Sequence, residues 1–149
     1  MAHIEEPREP HDALERELGV FWRRSRAAAD RLSREVHPEL DSAAYGLLVH
    51  LRDRGSMRPS DLAAYVGVGK ATISRQLKAL EDLKLVERQA DPVDGRAHLV
   101  ALTHNGQRRL EAVRSARRQR LNARLSNWPE DDIRTLARLL ARLNDLTSD

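Results

Sequence analysis

Pro59-Ser60-Asp61-Leu62-Ala63-Ala64-Tyr65-Val66-Gly67-Val68-Gly69, followed at once by Lys70-Ala71-Thr72-Ile73-Ser74-Arg75-Gln76-Leu77-Lys78-Ala79-Leu80, is the stretch on which the fold turns. Proline suits a first helical position, where its missing N–H costs no hydrogen bond, and Asp61 lies near the positive end of the helix dipole. A helix of about two turns therefore starts at Pro59 and is stopped by Gly67. Gly67-Val68-Gly69 reads as a tight turn feeding a second helix from Lys70 to Leu83. At ~100° per residue, Ile73, Leu77 and Leu80 form one buried stripe. Ala71, Arg75, Lys78 and Asp82 lie opposite, flanked by Thr72 and Ser74. Small and hydroxyl side chains thus open the outward face and long basic ones follow. A solvated surface has the same pattern; so does a helix whose arginine and lysine reach guanine O6 and N7 while its hydroxyls reach bases or phosphates. The paired glycines do not make a phosphate loop, since the GxxxxGK spacing and a preceding strand are both missing.

Beyond this helix, Leu85–Gln89 reads as a short strand, Ala90–Arg96 as a turn-rich loop with Asp94-Gly95 at its apex, and Ala97–Leu102 as a second strand. Short helix, glycine turn, second helix and hairpin with a basic tip follow the order of a winged helix-turn-helix. Arg96 on that apex can enter a narrow minor groove, and Asp94 is expected to pair with its guanidinium. An ordinary hairpin turn with exposed charges fits the same residues. Thr103 is the expected N-cap of a helix over His104–Leu125, in which Leu110, Val113, Leu121 and Leu125 lie among seven arginines. Pro129 opens a last helix with Ile133, Leu136, Ala137, Leu140, Leu143 and Leu146 in one stripe.

Towards the N-terminus, a helix over Leu40–Leu51 is expected to be heavily covered, and Pro38 separates it from a helix over Asp12–Val36 carrying Leu14, Leu18, Phe21, Trp22, Ala28 and Leu32. Residues 1–11 read as a mobile arm. The expected architecture is mainly α with a small β-hairpin wing (α+β). Residues 12–149 form the domain, with a winged lobe over 40–102 and all-helical dimerisation segments at 12–36 and 104–147. Two terminal apolar faces on so small a chain have little separate core to cover them, so pairing of two chains is expected.

With 149 residues, 40% hydrophobic and 33% charged, the chain holds one domain rather than two catalytic ones. It has no cysteine, which excludes disulfides and thiolate metal sites. The longest apolar run, Ala43–Val49, contains Gly46 and is far short of the roughly 18 residues of a membrane span. The acidic start lacks the order of a secretory signal, so a cytoplasmic location is expected. Net charge is only +3, yet His50–Arg120 holds 15 Lys and Arg against 8 Asp and Glu, which favours a polyanionic partner, although a solvated helical surface gives the same count. The histidines His3, His11, His37, His50, His98 and His104 contain no HExxH and no carboxylate cluster at metal spacing, and no serine or lysine stands out as a nucleophile. Neither enzyme chemistry nor a metal or cofactor is expected. The other class open to this chain is a small helical interaction protein that binds a protein partner through the winged lobe.

The sequence resembles the MarR family of bacterial transcriptional regulators over nearly its whole length. The resemblance is carried by Pro59-Ser60-Asp61-Leu62-Ala63, by Thr72-Ile73-Ser74-Arg75 with Leu77 and Leu80-Glu81, by Leu85-Val86-Glu87-Arg88, and by Asp91-Pro92-Val93-Asp94-Gly95-Arg96 followed by Leu102-Thr103 and Gly106. It implies an obligate homodimer joined by its first and last two helices. It also implies binding to pseudo-palindromic double-stranded operator DNA, usually with repression, and in many members release by a phenolic or other small aromatic effector. The family's major-groove contacts would fall on Gly69, Lys70, Ala71, Thr72, Ser74 and Arg75, with Lys78 as a phosphate neighbour, and its wing-tip pair on Asp94 and Arg96. Gly69 replaces the usual serine cap and Gly95 the first of two usual arginines, so one hydroxyl contact and one cation are missing. The family's peroxide-sensing branch needs a cysteine that this chain lacks. Trp22, His37 and Tyr45 are candidate effector contacts on chemical grounds alone, and core or interface packing fits each of them too.

Overall fold

The computed structural model describes residues 10–146. Their order is α1 (Pro10–Val36), α2 (Ser42–Arg54), α3 (Pro59–Val66), α4 (Lys70–Asp82), β1 (Val86–Ala90), β2 (His98–Leu102), α5 (His104–Arg124) and α6 (Glu130–Leu146). The mainly helical winged helix-turn-helix architecture is therefore the observed one. Among the described residues the chain forms two compact units, the first ending at Val113 and the second starting at Arg114, a boundary that falls inside α5.

The core of the first unit is built around the α4 stripe. Ile73, Leu77 and Leu80 are buried against Leu47, Leu48 and Leu51 of α2, Leu62 of α3, the strand residues Val86, Val100 and Leu102, and Leu110 and Val113 of α5. Leu32 and Val36 bring the end of α1 into the same cluster. Each such side chain contributes about 1.5–3 kcal/mol of burial, so the face of α4 that turns inward is fixed by its aliphatic residues. Gly67 stops α3 in the left-handed conformation at φ 75° and donates its N–H to the Ala63 carbonyl at 2.9 Å.

Several boundaries differ from expectation. α1 starts at Pro10, so Pro10 and His11 are helical rather than part of an arm, as proline at a first turn permits. Residues 1–9 of that arm, with His3, lie outside the described residues, as does residue 147 at the end of the second expected dimerisation segment. α2 starts at Ser42 because Asp41 caps it, its Oδ1 accepting from the Ala44 N–H at 2.8 Å, and it runs on to Arg54 before Gly55 ends it. Both strands begin one residue later than expected. Leu85 follows Lys84, which is left-handed at φ 61°, and turns wholly into the core, while Ala97 closes the loop by donating to the Asp94 carbonyl. β1 and β2 pair antiparallel from Val86 opposite Leu102 to Ala90 opposite His98. Met57, just before α3, adds an isolated bridge to Val100 through backbone bonds of 3.0 and 2.7 Å.

In the second unit α6 is amphipathic with acidic residues Glu130, Asp131 and Asp132 in its first turn. None of its residues is buried in the single chain; Leu136, Leu139, Leu140 and Leu146 are all exposed. The N-terminal two-thirds of α1 is likewise open, with Leu14, Phe21 and Trp22 exposed.

Candidate nucleic-acid interface

With the aliphatic stripe of α4 turned inward, Lys70, Ala71, Ser74, Arg75 and Lys78 are exposed and Thr72 is half-buried. Gly69 occupies the N-cap in an extended conformation and, having no side chain, offers the first-turn N–H groups of α4 no capping acceptor. The Arg75 Nη2 lies 3.5 Å from the Thr72 hydroxyl, too far for a firm hydrogen bond. Lys78 differs: its Nζ is 2.7 Å from Asp82 Oδ1 one turn on. The hydrogen bond to Asp82 and then its charge hold the Lys78 ammonium pKa above the usual lysine range. A phosphate near Lys78 would meet a cation already paired.

The wing is organised by Asp91. Its carboxylate is buried, with Oδ1 accepting from the N–H groups of Val93 at 2.9 Å and Asp94 at 3.4 Å. Oδ2 accepts from Arg58 Nε at 2.9 Å and Nη2 at 2.7 Å. The Val93 N–H and next the Arg58 guanidinium hold the Asp91 carboxyl below the usual carboxylate range, and the same contact raises Arg58. Because the folded pKa is the lower one, the stabilisation from ionised Asp91 is present above about pH 4, the unfolded value, and is lost as pH falls through the folded value. Asp91→Asn should therefore melt below wild type at pH 7, with the gap closing in thermal scans taken progressively below about pH 4. A gap that persists unchanged in acid would mean that charge is not what the carboxylate contributes.

At the apex, the expected pairing of Asp94 with the Arg96 guanidinium is not found. Asp94 Oδ1 instead accepts from the Arg96 backbone N–H at 3.1 Å, because two residues of separation place the short carboxylate over its own turn. Arg96 is exposed, and Val93 beside it is 90% exposed. Sequence reasoning missed the Arg58–Asp91 contact, which spans 33 positions. Asp91 before a proline is a usual opening of an Asx-type turn, but nothing at Arg58 signalled its partner. The stack of His50 on Tyr65, with centroids 3.5 Å apart, also went unforeseen; it ties α2 to α3.

Of the three effector candidates, Trp22, 58% exposed, lines a shallow open depression on α1 with Ser25, Arg26 and Ala29. The depression that Trp22 lines includes neither His37 nor Tyr45. His37 Nδ1 accepts from the Glu39 N–H at 3.2 Å in the α1–α2 connection, and Tyr45 is half-buried against the core. Among the described residues no three His, Asp or Glu side chains converge as metal ligands, and no helix is long and apolar enough to cross a membrane.

Residues 39–97 match the model of the MarR family. The chain is 33% identical over 135 residues to the uncharacterised HTH-type transcriptional regulator YxaD of Bacillus subtilis, a match covering 91% of this chain and 93% of that one. It is 31% identical over 112 residues to the HTH-type transcriptional repressor NicR of Pseudomonas putida, covering 74% and 70%. The crystal structure of RV1404 from Mycobacterium tuberculosis has the same fold, with a TM-score of 0.82 over the whole of both chains at 22% identity. The similarity to YxaD spans nearly both chains, and the matched segment holds α2, α3, α4, β1 and the wing loop, so the chain belongs to the MarR family of DNA-binding transcriptional regulators and is not an enzyme.

Proposed function

We propose that this chain is a sequence-specific repressor that acts in the cytoplasm as a homodimer on a pseudo-palindromic operator. The observation that carries the reading is the division of α4: its aliphatic stripe is fully used in the core, and the opposite face, from Gly69 and Lys70 through Ala71, Thr72, Ser74 and Arg75 to Lys78, is exposed except at half-buried Thr72. In this reading that face enters the major groove and the wing, with Asp94 and Arg96, lies over the adjacent minor groove. The lobe over 40–102 holds the DNA contacts and the segments 12–36 and 104–147 hold the dimer. Exposed apolar residues on α1 and α6 support pairing, since stripes of this size on a monomer are costly to leave in water. The name of the Pseudomonas relative supports repression. A small aromatic or phenolic effector is part of the proposal, with Trp22, His37 and Tyr45 as candidate contacts.

A duplex recovered by the chain from randomised DNA should be bound far more tightly than scrambled duplex. Raising salt from about 0.1 to 0.3 M should weaken that complex by roughly 400-fold, as release of counterions from some six phosphates requires. Light scattering at micromolar concentration should report about twice the mass of one chain. Binding that ignores both sequence and salt would sink the DNA reading in favour of a protein partner for the winged lobe, and a stable monomer would sink the dimer.

A further inference from the structure

Arg58 lies outside the residues that the helical face or the family resemblance nominates, yet it meets the most buried carboxylate of the winged lobe. Its side chain is 44% exposed while that of Asp91 is 4% exposed, so the guanidinium reaches in from the surface to close a buried site. Asp91 then holds Val93 and Asp94 by their N–H groups, and Asp94 holds the N–H of Arg96. Met57, the preceding residue, is bonded in both directions to Val100 of β2. Residues 57 and 58 thus tie the start of α3 to the wing twice, once at its strand and once at its loop.

We propose that the Arg58–Asp91 pair is a latch that positions the wing for DNA, fixing where Arg96 stands relative to the helix-turn-helix before any contact is made. This rests on the DNA-binding reading above. A loop of Asp, Pro, Val, Asp and Gly has few side-chain contacts of its own, and Val93 is turned out to solvent, so without the latch the apex samples many positions. An arginine already ordered loses less entropy on entering a groove than one ordered by the groove. Arg58 is therefore a positioning residue, acting through Asp91 and Asp94 on Arg96.

The test is a double-mutant cycle with the full-length chain and a selected duplex, read by fluorescence anisotropy. Arg96→Ala should weaken the wild-type chain about tenfold, and should cost less than about threefold more when added to Arg58→Gln or to Asp91→Asn. Arg58→Lys, which keeps the charge but loses the fork, should fall between. Asp91→Asn removes no cation, so a loss there is not a missing phosphate contact. Hydrogen exchange at the Val93 and Asp94 amides should quicken in both latch variants without DNA. If Arg96→Ala costs the same in every background, or binds like wild type, the latch is wrong while the DNA reading stands. Normal binding by Asp91→Asn with weak binding by Arg58→Gln would make Arg58 a direct phosphate contact and overturn it likewise. Should Asp91→Asn fail to fold, Arg58→Gln carries the cycle alone. A wild-type chain that selects no sequence overturns the DNA reading itself.

Discussion

Gly106→Ala is expected to lower the melting temperature by about 10 °C, the equivalent of about 3 kcal/mol. Gly106 is buried in the first turn of α5, directly on the backbone of Leu85. A methyl group there would fall on the Leu85 carbonyl oxygen, with the carbonyl carbon at 3.1 Å and Cα at 3.3 Å. Backbone cannot rotate aside as a side chain can, so either α5 lifts or the root of the wing shifts. Lifting α5 stretches a set of bonds at once. The Thr103 N–H donates to the Leu85 carbonyl at 3.0 Å, the Thr103 hydroxyl donates to the Lys84 carbonyl at 2.6 Å, and the Thr103 Oγ1 in turn accepts the Gly106 N–H as the helix cap at 2.9 Å. Leu85 itself is completely buried beside the α4 stripe, so the disturbance reaches the core that holds the outward face of α4 in place. Circular dichroism melting checks the stability, and the same preparation should bind selected DNA more weakly at temperatures where wild type is unaffected. A variant that melts within about 2 °C of wild type would mean that α5 is not seated on Leu85.

What could be read from the sequence was whatever repeats or sits next to its cause. Ile73, Leu77 and Leu80 recur at helical spacing, and that alone fixed the rotation of α4; Gly67 and Thr103 declared a stop and a cap through their own chemistry. Strand ends were harder, because five-residue strands give two or three alternations and no more. Leu85 looks like a strand residue by composition, yet its neighbour Lys84 takes a left-handed conformation that no local rule demands of lysine. Asp41 was overlooked as the cap of α2 because Leu40 resembles the first apolar position of a helix, whereas it is buried from the connection, its N–H bonded to the His37 carbonyl. The candidate site divides in the same way. The outward residues of α4 follow from a helical wheel. The wing anchor joins Arg58 to Asp91, and the Met57–Val100 bridge is a single pair without periodicity, so both depend on tertiary closure. Asp94 was assigned to the right neighbour and the wrong atom, since residue spacing does not say whether a carboxylate takes the backbone N–H or the guanidinium.

Arg75→Ala should cost about 1–3 kcal/mol in affinity for the selected duplex at each half-site and flatten discrimination between duplexes. Its position opposite the buried stripe sends the side chain out of the helix midway along α4, where a helix lying in the major groove comes closest to base edges. Among the described residues it has no ion pair, and its one polar neighbour, the Thr72 hydroxyl, is 3.5 Å away, so the fork is not occupied. Two other cations around this helix are engaged: Lys78 on Asp82 at 2.7 Å and Arg88 on Glu81 at 3.0 Å. A planar fork with unused donors matches O6 and N7 of guanine, while a paired ammonium adds mainly attraction to phosphate. Arg75→Lys separates these terms, because it keeps the charge and removes the fork; scrambled duplex should be bound as by wild type and the selected duplex nearly as weakly as by Arg75→Ala. Lys78→Ala should weaken both duplexes alike, and less than an unpaired lysine would, since Asp82 already offsets its charge. Anisotropy titrations against the selected duplex and single-position variants of it decide the matter. Discrimination that survives in Arg75→Ala and collapses in Lys78→Ala would mean that α4 enters the groove by its C-terminal half, and the assignment of the remaining contacts from Gly69 to Ser74 would go with it.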